Sequence, residues 1–294
     1  MATHIACLKA GRGLLSRNGA FELYGDYFPL KVSGFIAFFL IIFVSASCSE
    51  SPQSLKKLES ECTAGNKFSC AKVGDAYFWE KNGQQNYQKA FEAYSVACNG
   101  NGLGEGARAC AAIGFMYDNG HGVEKNEKIA YDFFKKACDE KFGQGCYRMG
   151  LHERHLEFLR NRLRSLLDPV LDLTPTSPPK SARLFQEACR LNSSDGCREA
   201  GMYFDELDNF KAVEYFAKSC KQHDAQGCLL YGAHLEAGKG IRQNDSQALE
   251  SYGKACDYKN EAGCEDYARV KKRLGEYNTL KKLTDSVLNA TNSK

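Results

Sequence analysis

Twelve of the 14 cysteines in this 294-residue chain form a regular series, and thiols are side chains that crosslink a chain or bind metal. They come in successive pairs whose members are eight residues apart, or twelve in one case. The pairs are Cys62 and Cys70, Cys98 and Cys110, Cys138 and Cys146, Cys189 and Cys197, Cys220 and Cys228, and Cys256 and Cys264. Metal binding is the weaker interpretation, because the pairs lack Cys-x-x-Cys spacing and no histidine recurs with them. The series predicts structural disulfides.

Two shorter motifs suggest other chemistry. His152 and His155 flank Glu153, but zinc-binding helices space their histidines four apart, and no third ligand is evident. Ser54 and Lys57 have the S-x-x-K spacing of penicillin-recognising enzymes, without the S-D-N or K-T-G partner motifs. We therefore predict no catalytic residues, no metal site and no cofactor.

The charge distribution argues against a polyanionic partner. The chain has 39 basic and 36 acidic residues mixed throughout, and a formal net charge of +3. Nucleic-acid-binding proteins concentrate basic residues on one face or along one helix. The sequence therefore predicts no nucleic-acid binding.

Residues 1–47 are expected to be an export segment. Phe35 to Val44 is a run of ten apolar residues, too short for a spanning helix and typical of a signal-peptide core. Small residues lead to Cys48, a candidate for lipidation that would be the membrane attachment. The long region before residue 30 suggests a mis-assigned start. Alternatively, the basic residues 1–20 are a transit peptide for the mitochondrial intermembrane space, or the apolar run is retained as an anchor.

The residues between the cysteines repeat with a basic period of 36. Four positions after the second cysteine of a pair a glycine recurs, at Gly74, Gly114, Gly150, Gly201 and Gly232. Aromatic residues recur four positions before the first cysteine, and small residues eight before it. These spacings place residues on one stripe of an α-helix, and glycine there predicts close approach of another helix backbone. Glycine-containing turns separate the helices, so each repeat is a helix-turn-helix unit.

The segment Lys136-Ala137-Cys138 through Gly145-Cys146 to Gly150, with this period, resembles Sel-one-like repeats over about residues 54 to 275. The cysteines resemble those of the disulfide-rich Helicobacter cysteine-rich proteins. The resemblance implies a right-handed α/α solenoid, covering residues 48–275 with an insert at about 152–180, and then a capping helix and tail at 276–294. It also implies, with loop length, disulfides within each turn, although a hairpin could instead bring Cys70 to Cys98.

The function expected from this resemblance is binding of a protein or peptide on the concave face of an exported scaffold, in the periplasm, at the cell surface or secreted. Candidate contact residues are Tyr77, Tyr117 and Phe204, seven positions after their cysteines, and Arg160 and Arg164 in the amphipathic insert. Two alternatives stay open, both implied by relatives of this kind: a weak β-lactamase-like hydrolase, and a respiratory-complex assembly factor of the mitochondrial intermembrane space.

Overall fold

The computed structural model describes residues 52–79, 85–99, 104–167 and 178–292, with side chains described for 55–79, 85–99, 104–163 and 178–286. The chain divides into two units, residues 1–57 and 58–294. The predicted signal core Phe35 to Val44 and the lipidation candidate Cys48 lie outside the described residues. Among the helices that are described, none combines the length and apolar character needed to span a membrane.

The described part of the chain contains twelve α-helices and no strands. The helices are α1 Pro52–Thr63, α2 Lys67–Phe78, α3 Tyr87–Cys98, α4 Glu105–Asn119, α5 Glu127–Asp139, α6 Gly143–Leu167, α7 Lys180–Arg190, α8 Ser194–Asp205, α9 Asn209–Lys221, α10 Ala225–Ala237, α11 Asp245–Asp257 and α12 Glu261–Asn292. Each repeat pairs an even-numbered helix with the odd-numbered helix that follows it. The expected boundary at residue 275 falls inside α12.

Side-chain caps begin most of these helices. Asn126 accepts a hydrogen bond from the backbone N–H of Ile129 at 3.0 Å, and Asn244 accepts one from Gln247 at 3.0 Å. Such caps satisfy N–H groups that the first helical turn leaves without partners. Gly120 and Gly238 end α4 and α10 in the left-handed conformation, at φ values of 76° and 69°. The predicted glycine turns therefore lie where the even-numbered helices end.

The repeated glycines contact aromatic rings. A Cβ added at Gly201 would lie 2.6 Å from a ring carbon of Phe216, and one at Gly232 would lie 2.8 Å from the ring of Tyr252. The rings are the aromatic residues predicted to recur four positions before the first cysteine of a pair. At Gly114 an added Cβ would also lie 3.1 Å from the backbone oxygen of Ala130, so the expected close backbone is found there, while at the other four glycines the nearest atoms belong to the ring.

The turn between repeats has a left-handed residue three positions after the first cysteine in the five pairs whose turn the structure describes. Lys141, Asn192, His223 and Lys259 have φ values between 60° and 68°, and Gly65 takes the equivalent place at 90°. This conformation lets the chain reverse within a few residues and start the next even-numbered helix. It was not predicted, because four of the five residues are not glycine, which is the residue that adopts such angles most readily.

Residues 58–294 form an α/α solenoid. Each odd-numbered helix packs between the even-numbered helices on either side of it, and each even-numbered helix also contacts the next even-numbered one. The odd-numbered helices contact one another less, so the even-numbered helices form the inner, concave side of the array. The predicted stapled repeat fold is confirmed.

Candidate functional site: the inner face and its staples

Six disulfides join the end of each odd-numbered helix to the start of the following even-numbered helix. Cys62 bonds Cys70, and the other five bridges likewise join the two members of a sequence pair. The Cα–Cα distances run from 4.3 Å to 4.8 Å, within the range that a disulfide spans. Cys70 is therefore not joined to Cys98, and each bridge holds one repeat against the next.

One surface open to a partner lies on the even-numbered helices, on the side opposite the cysteines. On a helix of 3.6 residues per turn, four positions point about 140–200° away from the cysteine. They lie two residues before it and two, five and nine residues after it. We call this set of positions on α2 to α12 the inner face. Phe68, Trp79 and Met202 belong to it, and they are 53%, 65% and 46% exposed. Large apolar side chains thus face solvent here.

A cavity of about 290 Å³ opens on the inner face across α2, α4 and α6. Eleven residues line it, and the inner-face positions among them carry apolar, polar and charged side chains. They are Asp75, Phe78, Trp79, Tyr94, Arg108, Ala111, Ala112, Phe115, Phe142, Gln144 and Arg148. A groove that crosses three successive repeats can contact an extended ligand at several points.

Arg108 bridges two even-numbered helices beside this cavity. Its Nη1 donates to Asp75 at 2.7 Å and its Nε to Glu105 at 2.7 Å, while the Tyr94 hydroxyl donates to Asp75 at 2.8 Å. Burial alone would lower the pKa of Arg108, but the hydrogen bonds to Asp75 and Glu105 outweigh it and raise that pKa. Burial and the charge of Asp75 raise the pKa of Tyr94. The cluster therefore holds a fixed guanidinium at the cavity wall.

A second ionic cluster joins α10 to α12. Arg269 donates to Glu236 at 2.5 Å and 2.7 Å, Arg273 donates to it at 2.7 Å, and the Tyr252 hydroxyl donates at 2.9 Å. The hydrogen bond from Arg269, with those from Arg273 and Tyr252, lowers the pKa of Glu236 to about 2 against the opposing effect of its burial. The C-terminal part of the inner face is thus covered by paired charges.

The three predicted aromatic contacts do not lie on the inner face. Tyr77 is 6% exposed, and its hydroxyl donates to Glu59. Tyr117 stacks on Phe133 at 5.9 Å between ring centroids, and Phe204 stacks on Tyr215 at 5.6 Å.

The reason lies in the helical register. A residue seven positions after the cysteine lies within about 20° of it on the helix, so it points toward the adjoining odd-numbered helix. The same register, applied to positions two and five after the cysteine, would have found Phe115 and Arg148.

The insert begins as a continuation of α6 and is held by polar contacts. Glu153, which is 6% exposed, accepts hydrogen bonds from the Tyr131 hydroxyl at 2.8 Å and from Lys180 at 2.6 Å. Arg160 lies 3.8 Å from Glu153, and the side chain of Arg164 lies outside the described residues. Four apolar side chains of this stretch remain exposed: Leu156, Phe158, Leu159 and Leu163.

The motifs considered for metal and acyl chemistry occupy ordinary helical positions. Glu153, between His152 and His155, is engaged by Tyr131 and Lys180, as above. Within the described residues no three His, Cys, Asp or Glu side chains are grouped as metal ligands. Ser54 falls in the first turn of α1, where its side chain is not described.

The fold and its staples define a class, the disulfide-bonded α/α repeat proteins. Within that class the chain belongs to the Sel1 repeat family, whose model matches residues 68–101, 107–142, 171–193, 198–224 and 225–257. No curated protein matches the chain. Sel1 repeats are generally scaffolds for protein–protein contacts, and six disulfides point to an oxidising, extracytoplasmic location.

Two solved structures show the same fold, and a third protein is similar in sequence over about half of this chain. A Sel1 repeat protein from Oxalobacter formigenes matches at 17% identity with a TM-score of 0.55, over 82% of this chain and 99% of that one. A protective antigen of uropathogenic Escherichia coli strains with an SLR fold matches at 20% identity and a TM-score of 0.55, over 73% of this chain and 43% of its own. This chain thus spans less than half of that antigen. Helicobacter pylori cysteine-rich protein B is 29% identical over 48% of this chain and 94% of its own, with a TM-score of 0.33.

Proposed function

We propose that this protein is an exported scaffold that binds a peptide segment of a partner protein along its inner face. The observation that carries the proposal is the exposure of Phe68, Trp79 and Met202 on that face. Phe68 and Trp79 lie in α2 and directly after it, and Met202 lies in α8, so the three flank the cavity-lining helices α4 and α6. Apolar side chains on a rigid concave surface are the usual anchors for a peptide, because burying them on binding supplies the driving force.

The disulfides support binding by a preorganised surface. Because each bridge fixes an odd-numbered helix to the even-numbered helix that begins the next repeat, the spacing of inner-face side chains changes little when a ligand arrives. A rigid site loses less conformational entropy on binding than a flexible one. The disulfides thus favour the affinity for a ligand as well as the stability of the fold.

Export to the periplasm, the cell surface or the medium is part of the same proposal, with Cys48 as the lipid attachment point. Its support is the bridged state of all twelve cysteines in the repeats, since such bonds persist in oxidising compartments. The test is intact-mass measurement on protein from its native source. It should show cleavage before Cys48, a lipid adduct, and a repeat region twelve hydrogens lighter than the reduced chain. A reduced, unprocessed chain in the cytoplasm would contradict export.

Binding is tested by selecting peptides from a displayed random library on the oxidised protein and measuring each selected peptide against two variants. The inner-face variant carries Trp79→Ser and Met202→Ser. The matched control carries Leu207→Ser and Phe210→Ser, which are 65% and 75% exposed in the wild type and lie at the turn from α8 to α9. We expect the inner-face variant to lose at least about tenfold in affinity and the control to bind like wild type. If the selected peptides lose affinity only for the control variant, an inner-face site is refuted.

A further inference from the structure

The cavity on α2, α4 and α6 has one apolar wall sized for a single side chain. Phe78, Trp79 and Phe115 form much of it, with Ala111 and Ala112 between them. At about 290 Å³ it is at the lower limit of pockets that take drug-sized molecules. It therefore suits one large apolar or aromatic side chain rather than an extended small molecule.

Arg108 lines this cavity and is already held by two carboxylates. Its Nε and Nη1 donate to Glu105 and Asp75, and its Nη2, which has no hydrogen-bond partner among the described residues, is buried away from solvent. A ligand in the cavity therefore does not reach that nitrogen, and Arg108 is a fixed part of the cavity wall.

Arg148 lines the same cavity from α6. Its guanidinium carbon is 5.1 Å from the centroid of the Phe115 ring and 5.8 Å from that of Tyr147, which orients it without neutralising it. It also lines a neighbouring cavity with Asp118 and Glu127, yet it forms an ion pair with neither. Other cations that bridge even-numbered helices, such as Lys239 with Asp205, do have carboxylate partners.

Of the two guanidiniums at the cavity, Arg108 is paired with Asp75 and Glu105, and Arg148 forms no ion pair among the described residues. A planar guanidinium binds carboxylates and phosphates through paired hydrogen bonds, and the carboxylate is the one of these that an unmodified peptide carries. The remaining positive charge lies beside an apolar wall, so a fitting ligand carries a carboxylate next to a large apolar side chain.

We propose that this cavity binds a peptide carboxylate together with an adjacent aromatic or large aliphatic side chain, the carboxylate at Arg148 and the apolar side chain against Trp79 and Phe115. The inference rests on the proposed peptide-binding function and names the chemistry of its principal subsite. The carboxylate is supplied either by a chain terminus or by an acidic side chain.

The experiment uses the oxidised full-length repeat protein and short fluorescein-labelled peptides of Gly and Ser, with fluorescence anisotropy as the readout. One pair ends in Phe and differs only in a free or an amidated C-terminus. The other pair is amidated and contains an internal Glu-Phe or Gln-Phe. We expect a carboxylate-bearing peptide to bind at least about tenfold more tightly than the neutral peptide of the same pair. The pair that shows this difference identifies whether the carboxylate comes from a chain terminus or from an acidic side chain.

Variants assign the effect to the cavity. Arg148→Gln should abolish the carboxylate preference, Arg148→Lys should restore part of it, and Arg242→Gln, on the turn after α10, should leave it unchanged. Trp79→Ala should weaken both members of a pair equally. Melting curves of each variant check that it folds.

Equal binding of charged and neutral peptides, no binding of any of the four, or an Arg148→Gln variant that keeps the preference would overturn the inference. The peptides selected from the library remain a separate test. If they depend on Trp79 and Met202 but not on a carboxylate, the proposed function stands and this inference fails.

Discussion

Replacing Gly201 by alanine should destabilise the protein even though alanine favours helices. A Cβ at Gly201 would lie 2.6 Å and 2.7 Å from two ring carbons of Phe216, whereas carbon atoms in contact are about 3.5–4.0 Å apart. Phe216 is 1% exposed, so its ring has no free space to move into. Overpacking of this kind costs about 1–3 kcal/mol, and the helix propensity of alanine returns about 1 kcal/mol.

The matched control is Gly275→Ala in α12, where an added Cβ would meet nothing within 4 Å. That variant gains the propensity without the overlap, so the two free energies of unfolding should differ by about 1–3 kcal/mol. Urea unfolding of the oxidised proteins, followed by far-ultraviolet circular dichroism, measures the difference from the midpoints if the slopes agree.

A double variant tests the named contact. In a Phe216→Leu background, Gly201→Ala should cost at least about 1 kcal/mol less than in the wild type, because the smaller side chain leaves room for the methyl group. If Gly201→Ala is as stable as Gly275→Ala, or if the two positions prove additive, the explanation of the recurring glycines is refuted.

Four further predictions follow from particular residues. Changing Cys220 and Cys228 together to alanine should lower the free energy of unfolding by about 2–3 kcal/mol, since the bridge closes a short loop of sequence separation 8; an unchanged urea midpoint would contradict the role of that staple. Glu236→Gln should lower the free energy of unfolding by about 1–2 kcal/mol at neutral pH. This value allows for solvent screening, because the arginine partners of Glu236 are half exposed. Because the folded pKa of Glu236 lies below its usual value, the wild-type advantage is full above about pH 4.5 and should disappear in urea unfolding as the pH falls toward about 2. Lys259→Gly should raise the thermal midpoint slightly, because relief of the left-handed strain of about 1–2 kcal/mol exceeds the entropy that glycine adds to the unfolded chain; a lower midpoint would mean that the lysine side chain stabilises the turn. Nitrocefin should not be hydrolysed, and turnover that Ser54→Ala removes would instead establish an acyl-transfer activity.

The repeat architecture was predictable because its signals are local and periodic. A disulfide pair, a glycine and an aromatic residue recur at fixed helical positions, and each alone specifies which side of the helix is buried. Gly232 and Tyr252 illustrate this, since spacing alone placed both on packed faces. Whether Gly232 and Tyr252 contact each other depends on how one helix is rotated against the next, and the spacing of neither residue specifies that angle.

The aromatic contact residues predicted from the sequence stay a prediction, and the structure places Tyr117 and Phe204 against rings of odd-numbered helices. The aromatic residues Tyr77, Tyr117 and Phe204 stood out in the sequence because they recur in register, but recurrence is what core residues share. Trp79 and Arg148 occur in one repeat each, and a residue that does not recur gives no periodic signal. On a repeat protein the partner-binding side chains are of this second kind, since the repeats must be alike inside and are free to differ outside.

The amino-acid sequence by itself determined the helical repeat and the recurrence of paired cysteines, because helix periodicity and cysteine spacing act over a few residues. Only the tertiary structure decided which cysteines are bonded, which ring fills each glycine's space, that Arg108 and Arg148 line one cavity from different repeats, and that Arg148 has no ionic partner in the described chain. Those facts depend on distances between residues far apart in the chain, and such distances are fixed by the packing of whole helices rather than by any local pattern.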